Sequence, residues 1–356
     1  MSEVVAIPAE PLISVVMPVR NAAPFVADAV SSIQAQSYRH LELVVVDNES
    51  DDDSAAIVGA LAARDSRIRL ITGVPRGIAG ALNAGVDLAR GELIARMDAD
   101  DIAVPERLAV QLQWMRRTGV EICGGWIQQF GDCQGLVWFP ETHEAIAREL
   151  LFRCAVMHPT VLMHAEILKR HRYDERAGFK DYELWTRLIH QYRMGNVPAV
   201  LLRYRRHPNQ VSVTDAAVLR ADNARLRASL FDALFPDANR DDAEIVERVA
   251  ERIPISSLRD LEYAGSLLAR IARGQERMLS QRMLARWRGA CRRSASLGTA
   301  AWRCYERVAP QFGIPAARAD RRLQAACALR ISSDSGLGRG LTVVKSVWRR
   351  TRHTAT

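Results

Sequence analysis

Leu93-Ile94-Ala95-Arg96-Met97 runs directly into Asp98-Ala99-Asp100-Asp101. A short apolar run that ends in carboxylates reads as a buried strand opening at a polar edge. Short apolar runs occur three times upstream, one of them also ending at a carboxylate. Leu12 to Val19 (LISVVMPV) is apolar and rich in β-branched residues, Leu41 to Val46 (LELVVV) ends at Asp47, and Ile68 to Ile71 is a third run. Helix-length segments lie between them, at about 23–36, 53–63 and 78–90. Asp51, Asp52, Asp53 and Ser54 supply N-cap candidates, and Pro105 suits the first turn of a helix over Glu106 to Arg117. Continuous apolar strands alternating with helices predict an α/β fold with a parallel sheet covered on both faces. Ligands in such sheets bind beyond the carboxyl ends of the strands. That singles out Pro18, Asp47 and Asp98.

Residues 120–205 read differently. Short strands are expected at 120–130, 136–139, 157–163 and 197–204, with helices at about 143–152 and 181–192. This pattern predicts a second lobe of the same catalytic unit. Residues 215–356 are mainly helical by periodicity, broken at Pro236, Pro254, Pro310 and Pro315, with a loop expected at 332–338.

The 356-residue chain is 48% hydrophobic and 25% charged, which excludes a disordered or collagen-like protein. Its net charge of +8 is unevenly spread. Residues 264–356 hold 19 basic and 4 acidic side chains, a net of +15, whereas residues 1–263 carry a net of −7. A mildly acidic body with a basic tail points the tail toward a polyanion. Cys123, Cys133, Cys154, Cys291, Cys304 and Cys327 show no metal-ligand spacing and read as free thiols in a reducing compartment. The opening MSEVVAIPAE lacks the basic and apolar regions of a signal peptide, and no uncharged apolar run reaches membrane-spanning length. A cytoplasmic protein is expected, peripheral on the membrane if the tail binds lipid.

Carboxylates two residues apart, as in Asp98 and Asp100, can converge on one hard divalent cation that substrate phosphates also ligate. A lone pair of this kind is more often a solvated turn or a helix cap. Asp47-Asn48-Glu49-Ser50, after the second strand, could hydrogen-bond a nucleobase or ribose, or could cap a helix. Two acidic clusters at neighbouring strand ends repel unless a cation or hydrogen-bond donors compensate.

These pieces occur in an order that resembles glycosyltransferase family 2, whose fold is the GT-A type: a Rossmann-like nucleotide-binding sheet with an acceptor-side lobe. The matching stretches are Ser14 to Asn21 (SVVMPVRN), Val45 to Ser50 (VVDNES), Gly77 to Gly85 (GIAGALNAG), Ala89 to Asp101 (ARGELIARMDADD), and Pro105 to Leu108 (PERL). They continue with His158 to Val161 (HPTV), Asp181 to Leu188 (DYELWTRL) and Leu202 to Ser212 (LRYRRHPNQVS). The resemblance covers about residues 11–215. It divides the chain into a nucleotide-sugar-binding half at 11–119, an acceptor-side half at 120–215, and a helical basic region at 216–356 that it does not cover.

The resemblance implies inverting transfer of a sugar from a UDP-, GDP- or dTDP-sugar to a glycan or lipid-linked acceptor, in assembly of a cell-surface or secreted polysaccharide. Asp98 and Asp100 would hold Mn²⁺ or Mg²⁺ against the diphosphate, Asp100 by direct ligation. Pro18, Asp47 and Asn48 would line the nucleobase pocket. The family often has a second Asp where Asn48 stands, and Tyr where Arg20 stands. The base that takes the acceptor proton maps to Asp181, the second residue of a pair whose first, usually Glu, is here Lys180. His158 is a candidate acceptor contact or a satisfied structural histidine, and Arg205 and His207 are candidates to approach the diphosphate or members of a solvated basic turn. Trp126, Trp138 and Trp185 lie in the acceptor-side lobe, where stacking on a sugar competes with core packing. Three rivals are weaker. A sugar nucleotidyltransferase needs a Gly-rich basic loop after the first strand, and Pro18 to Phe25 has no glycine. A dehydrogenase needs GxGxxG there. A non-catalytic scaffold has no need of Asp98, Asp100 and Asp181.

In the tail, residues 276–293 wind Leu279, Met283, Leu284 and Trp287 onto one helical arc, with six arginines on the rest. Val343, Val344, Val347 and Trp348 among Lys345, Arg349, Arg350 and Arg352 repeat the style. Such a helix can lie on an anionic membrane, or can pack its stripe inside a helical domain. A lipid-linked acceptor favours the membrane over nucleic acid.

Overall fold

The computed structural model describes residues 7–74, 77–177, 180–208, 216–314 and 320–332. The chain forms two compact units, Met1–Leu226 and Arg227–Thr356. The division falls inside a helix that begins at Ala216, so no loop marks it.

The first unit is built on a nine-stranded mixed sheet among the described residues. Strands β1 (Ile13–Val19), β2 (Leu41–Asp47), β3 (Ile68–Ile71) and β4 (Leu93–Arg96) are parallel in the order β3-β2-β1-β4. Every residue of β1 and β2 is buried. The cause is cover on both faces, which also explains why these strands are apolar without alternation. Ile13, Val15, Met17 and Val19 face α1 (Val26–Gln34) through Val26, Ala29, Val30 and Ile33. On the opposite face, Val16 and Val46 take the weight of α3 (Ile78–Leu88), which approaches through Gly85; a Cβ there would stand 2.5 Å from Val16 Cγ1. Helix α2 (Ser54–Ala62) completes the predicted alternation, its entry fixed by Asp52 Oδ1 accepting from the Ser54 amide at 3.0 Å.

The expected second lobe is a continuation of the same sheet. Its strands are β5 (Ile102–Ala103), β6 (Ile122–Gly131), β7 (Gly135–Val137), β8 (Leu162–His164) and β9 (Met194–Arg206). β8 joins antiparallel to β4 through Leu93↔His164, and the order runs on as β8-β6-β9-β5, with β7 on the other edge of β6. The parallel sheet expected from the first hundred residues is therefore half of a mixed one. The strand predicted at 157–163 is split: His158–Thr160 is a 3₁₀ turn, because Pro159 has no amide to donate to a ladder. The last strand runs longer than predicted, through Pro198. The register steps from Gly125↔Val197 to Trp126↔Val200, so Pro198 and Ala199 bulge out of the pairing. Helices α4 (Arg107–Thr118), α5 (His143–Leu150), α6 (Ala165–His171) and α7 (Lys180–Leu188) complete the unit. The short α6 and the two-residue β5 were not anticipated. Both are shorter than the window in which periodicity can be read.

The second unit is helical. The end of α8 (Ala216–Leu234) is followed by α9 (Arg240–Ala250), α10 (Leu258–Ala272), α11 (Arg277–Arg293), α12 (Thr299–Val308) and α13 (Arg321–Ala328). Of the apolar stripe of α11, Leu279, Met283 and Trp287 are completely buried and Leu284 is half-buried. Gly265 of α10 lets that helix approach α11; a Cβ at Gly265 would lie 2.8 Å from the Trp287 ring. The stripe is thus a seam of this unit's own core. The second amphipathic segment, 343–352, lies outside the described residues. No described helix is long and apolar enough to cross a membrane.

Candidate functional site

β4 ends at Arg96, and the chain turns over Asp98, Ala99, Asp100 and Asp101 before the short β5. One carboxylate oxygen from each of the three aspartates lies within 4.8 Å of the others. Asp98 and Asp100 are partly buried and Asp101 fully so. Burial and the two neighbouring carboxylates push the Asp101 carboxyl well above the usual range, and Asp98 is raised by burial in spite of Arg96. Asp101 Oδ2 is buried with no hydrogen-bond partner among the described residues. A cluster of hard oxygen donors with an unsatisfied buried acceptor suits Mg²⁺ or Mn²⁺.

Two remote residues are carried to this turn by β5. Its pairing with β9, Ile102↔Arg203 and Ala103↔Leu202, folds the end of β9 over the aspartates. The Arg205 amide donates to Asp101 Oδ1 at 2.8 Å, and its Nε donates to the Asp100 carbonyl at 2.8 Å. The Arg205 guanidinium also stacks over Phe25 and Phe130, at 4.8 Å and 4.6 Å. His207 Nε2 lies 3.0 Å from Asp100 Oδ2. The predicted pair therefore meets the aspartate cluster directly, with the His207 imidazole against Asp100. Residues 209–212 of the same stretch lie outside the described residues.

The nucleobase candidates sit at the next strand ends. Pro18 pairs with Val46, and Val19 with Asp47. Asp47 is 8% exposed; its Oδ2 accepts weakly from the Ser50 amide at 3.3 Å, and its Oδ1 is buried with no partner among the described residues. Asn48 is already occupied. Its Oδ1 accepts from the Gly77 amide at 2.9 Å, tying the β2 end to the start of α3.

Asp181 opens α7, as its sequence context predicted. Its Oδ1 accepts from the Tyr182 amide at 2.9 Å, and its Oδ2 lies 3.5 Å from the Cys154 thiol. Its negative charge helps raise Asp98 and Tyr173, so Asp181 lies within electrostatic reach of the turn after β4. Lys180 turns away: its Nζ donates to the Glu175 carbonyl at 2.6 Å. Arg187 is structural, paired with Glu183 and bonded to the carbonyls of His171 and Arg172.

His158 is held within the fold. It is 8% exposed, its Nε2 is 2.8 Å from the Tyr173 hydroxyl, and its ring stands edge-on to the buried Trp185 at 5.9 Å. Burial and Arg96 push its pKa well below the usual value, so it is neutral. The 3₁₀ turn at Pro159 directs it against Tyr173 and Trp185. Arg96, Tyr173 and Cys154 were missed altogether. Arg96 reads as one polar residue in an apolar strand, and the other two come from loops that only folding brings to Asp98 and Asp181.

A sheet with parallel nucleotide-binding strands and an antiparallel extension, holding carboxylates at its inner strand ends, defines a GT-A glycosyltransferase fold. S. aureus TarS, solved as residues 1–349 in complex with UDP-GlcNAc, is similar over 88% of this chain and 90% of its own, with a TM-score of 0.54 at 13% identity. The chain belongs to Glycosyl transferase family 2, whose family model matches residues 14–195. Among curated relatives, the Escherichia coli O-antigen biosynthesis glycosyltransferase WbnJ is 29% identical over 62% of this chain and 89% of its own. The E. coli UDP-Glc:alpha-D-GlcNAc-diphosphoundecaprenol beta-1,3-glucosyltransferase WfgD is 28% identical over 56% and 79%.

Proposed function

We propose that this glycosyltransferase catalyses single-displacement, inverting transfer from a nucleotide-sugar donor to a glycan or lipid-linked acceptor, with a divalent cation at the aspartate turn. The observation that carries this reading is the cluster of Asp98, Asp100 and Asp101 with Asp181 within electrostatic reach of it. A bound Mn²⁺ or Mg²⁺ would offset the charge that builds on the departing diphosphate. Asp98, Asp100 and Asp101 are the groups placed to hold it, with His207 against Asp100. Arg205, fixed by two hydrogen bonds and two aromatic rings, adds a rigid positive charge beside them. The unpartnered Asp47 Oδ1 suits a base that presents a ring N–H, which uracil, thymine and guanine do and cytosine and adenine do not. Asp181 accepts the acceptor hydroxyl proton as the new bond forms. The names of WbnJ and WfgD support a role in surface-polysaccharide assembly and a lipid-linked acceptor.

The donor is read by thermal shift, with a panel of nucleoside diphosphates and Mn²⁺. One diphosphate of the UDP, GDP or dTDP group raises the melting temperature of the first unit by about 5–10 °C at ~100-fold excess over Kd. No response to any member would overturn the catalytic reading in favour of a scaffold.

The second unit supports a narrower membrane reading than its sequence suggested. Turning the α11 stripe outward would uncover Leu279, Met283 and Trp287, at about 1.5–3 kcal/mol each. Anionic lipid returns only about 1 kcal/mol per basic residue. Exposed Arg273, Arg277, Arg303, Arg321 and Arg322 therefore favour electrostatic contact without insertion of α11. Binding to anionic vesicles at low salt should be lost at about 1 M salt, where charges are screened within ~3 Å; sedimentation that survives such salt would contradict it.

A further inference from the structure

Arg96 is the last residue of β4, two positions before Asp98. It is 5% exposed, and its guanidinium is ion-paired with Asp98 Oδ2 through Nη1. Its Nε is buried with no hydrogen-bond partner among the described residues. The side chain has little freedom to leave. The Arg96 amide donates to the Val161 carbonyl at 2.9 Å, and its carbonyl accepts from Arg107 Nη2 at 2.7 Å. Arg107 is itself completely buried and bonded to Gln111. His158 and Tyr173, on the far side, both feel the Arg96 charge. A guanidinium taken out of water with one donor unsatisfied is destabilising unless something else recovers the loss. Among the described residues its strong attraction is to the acidic turn.

We infer that Arg96 is a resident counter-cation of the aspartate cluster: it keeps Asp98 Oδ2 from an incoming divalent ion and weakens the cluster's affinity for that ion. This rests on the cation reading above. Asp100 and Asp101 then meet the ion first, and Asp98 serves as the arm through which a fixed positive charge bears on it. A full charge a few ångströms from a divalent ion, even when screened as at a protein surface, changes affinity about tenfold or more.

The test is a Mn²⁺ titration of the whole chain without donor, read as loss of the free-ion paramagnetic resonance signal. Arg96→Gln and Arg96→Met, which remove the charge, should bind Mn²⁺ about tenfold or more tightly than the parent. Arg96→Lys, which keeps it, should stay within about twofold. Circular dichroism identifies the variants that fold, and either neutral variant suffices. Unchanged or weaker binding by a folded neutral variant, with Mn²⁺ still bound by the parent, overturns the inference and leaves the cation reading standing. No binding by parent or variants overturns both. A crystal of the parent soaked in Mn²⁺ decides without any variant. An Arg96–Asp98 pair that persists beside the ion supports the inference; Asp98 on the ion with Arg96 displaced refutes it.

Discussion

Asp181→Asn is expected to lower sugar transfer by about 10²–10⁴-fold while nucleoside-diphosphate binding stays within about twofold. The asparagine fills the same space and can still accept from the Tyr182 amide. It has far too little basicity to take a proton from the acceptor hydroxyl. Asp181 also stands at a helix N-terminus, where a carboxylate contributes about 0.3–1 kcal/mol through the macrodipole. The competing structural account therefore predicts a small loss of stability and no collapse of turnover. Transfer from a labelled nucleotide sugar, measured beside the melting temperature, separates the two. Turnover close to the parent's would remove Asp181 from the role of base, and Cys154 and Tyr173, its neighbours, are both held as neutral acids by burial and charge.

Asp100→Asn is expected to weaken Mn²⁺ binding by about 100-fold or more and to lower transfer by about 10²–10³-fold. Asp100 is the aspartate whose Oδ2 meets His207, so the substitution breaks both a ligand and the contact that aims the imidazole. Chelation of the parent enzyme should produce the same loss, and added Mn²⁺ should restore it in the parent but not in the variant. Transfer that proceeds at full rate after chelation would end the metal role of the aspartate turn. It would leave Arg205 and Arg96 as the positive charges near the leaving group.

The parallel half of the sheet was legible because its physics is local. Strands buried on both faces must be apolar along their length, and the helices between them must carry the polar residues. Ile68–Ile71 and the start of α3 at Ile78 fall where the pattern put them. The acidic strand ends at Asp47 and Asp98 were legible for the same reason: a charge closes an apolar run where the strand leaves the core. The antiparallel half was less so. Pro159 and Pro198 break its periodicity, and β5 is too short to show one, yet β5 is what lays Arg205 and His207 on Asp100 and Asp101.

His158 shows the limit from the other side. Its place in an ordered motif suggested substrate contact, and only the fold reveals the Tyr173 hydroxyl waiting 2.8 Å away. Trp287 and Met283 repeat the lesson in the second unit, where they belong to a stripe suited to a membrane and are instead completely buried. Helical periodicity says that a face is apolar and not what covers it.

By itself the sequence determined the α/β class, the positions of the parallel strands and the carboxylates at their ends, because each follows from neighbours within one strand or helix. The tertiary structure alone decided which groups attend those carboxylates: Arg96 on Asp98, His207 on Asp100, Arg205 on Asp101 and Cys154 on Asp181. Apart from Arg96, these partners are separated by 27 to 107 positions in the chain. Chain connectivity places no constraint on such pairs until the sheet closes, so no local pattern could have announced them.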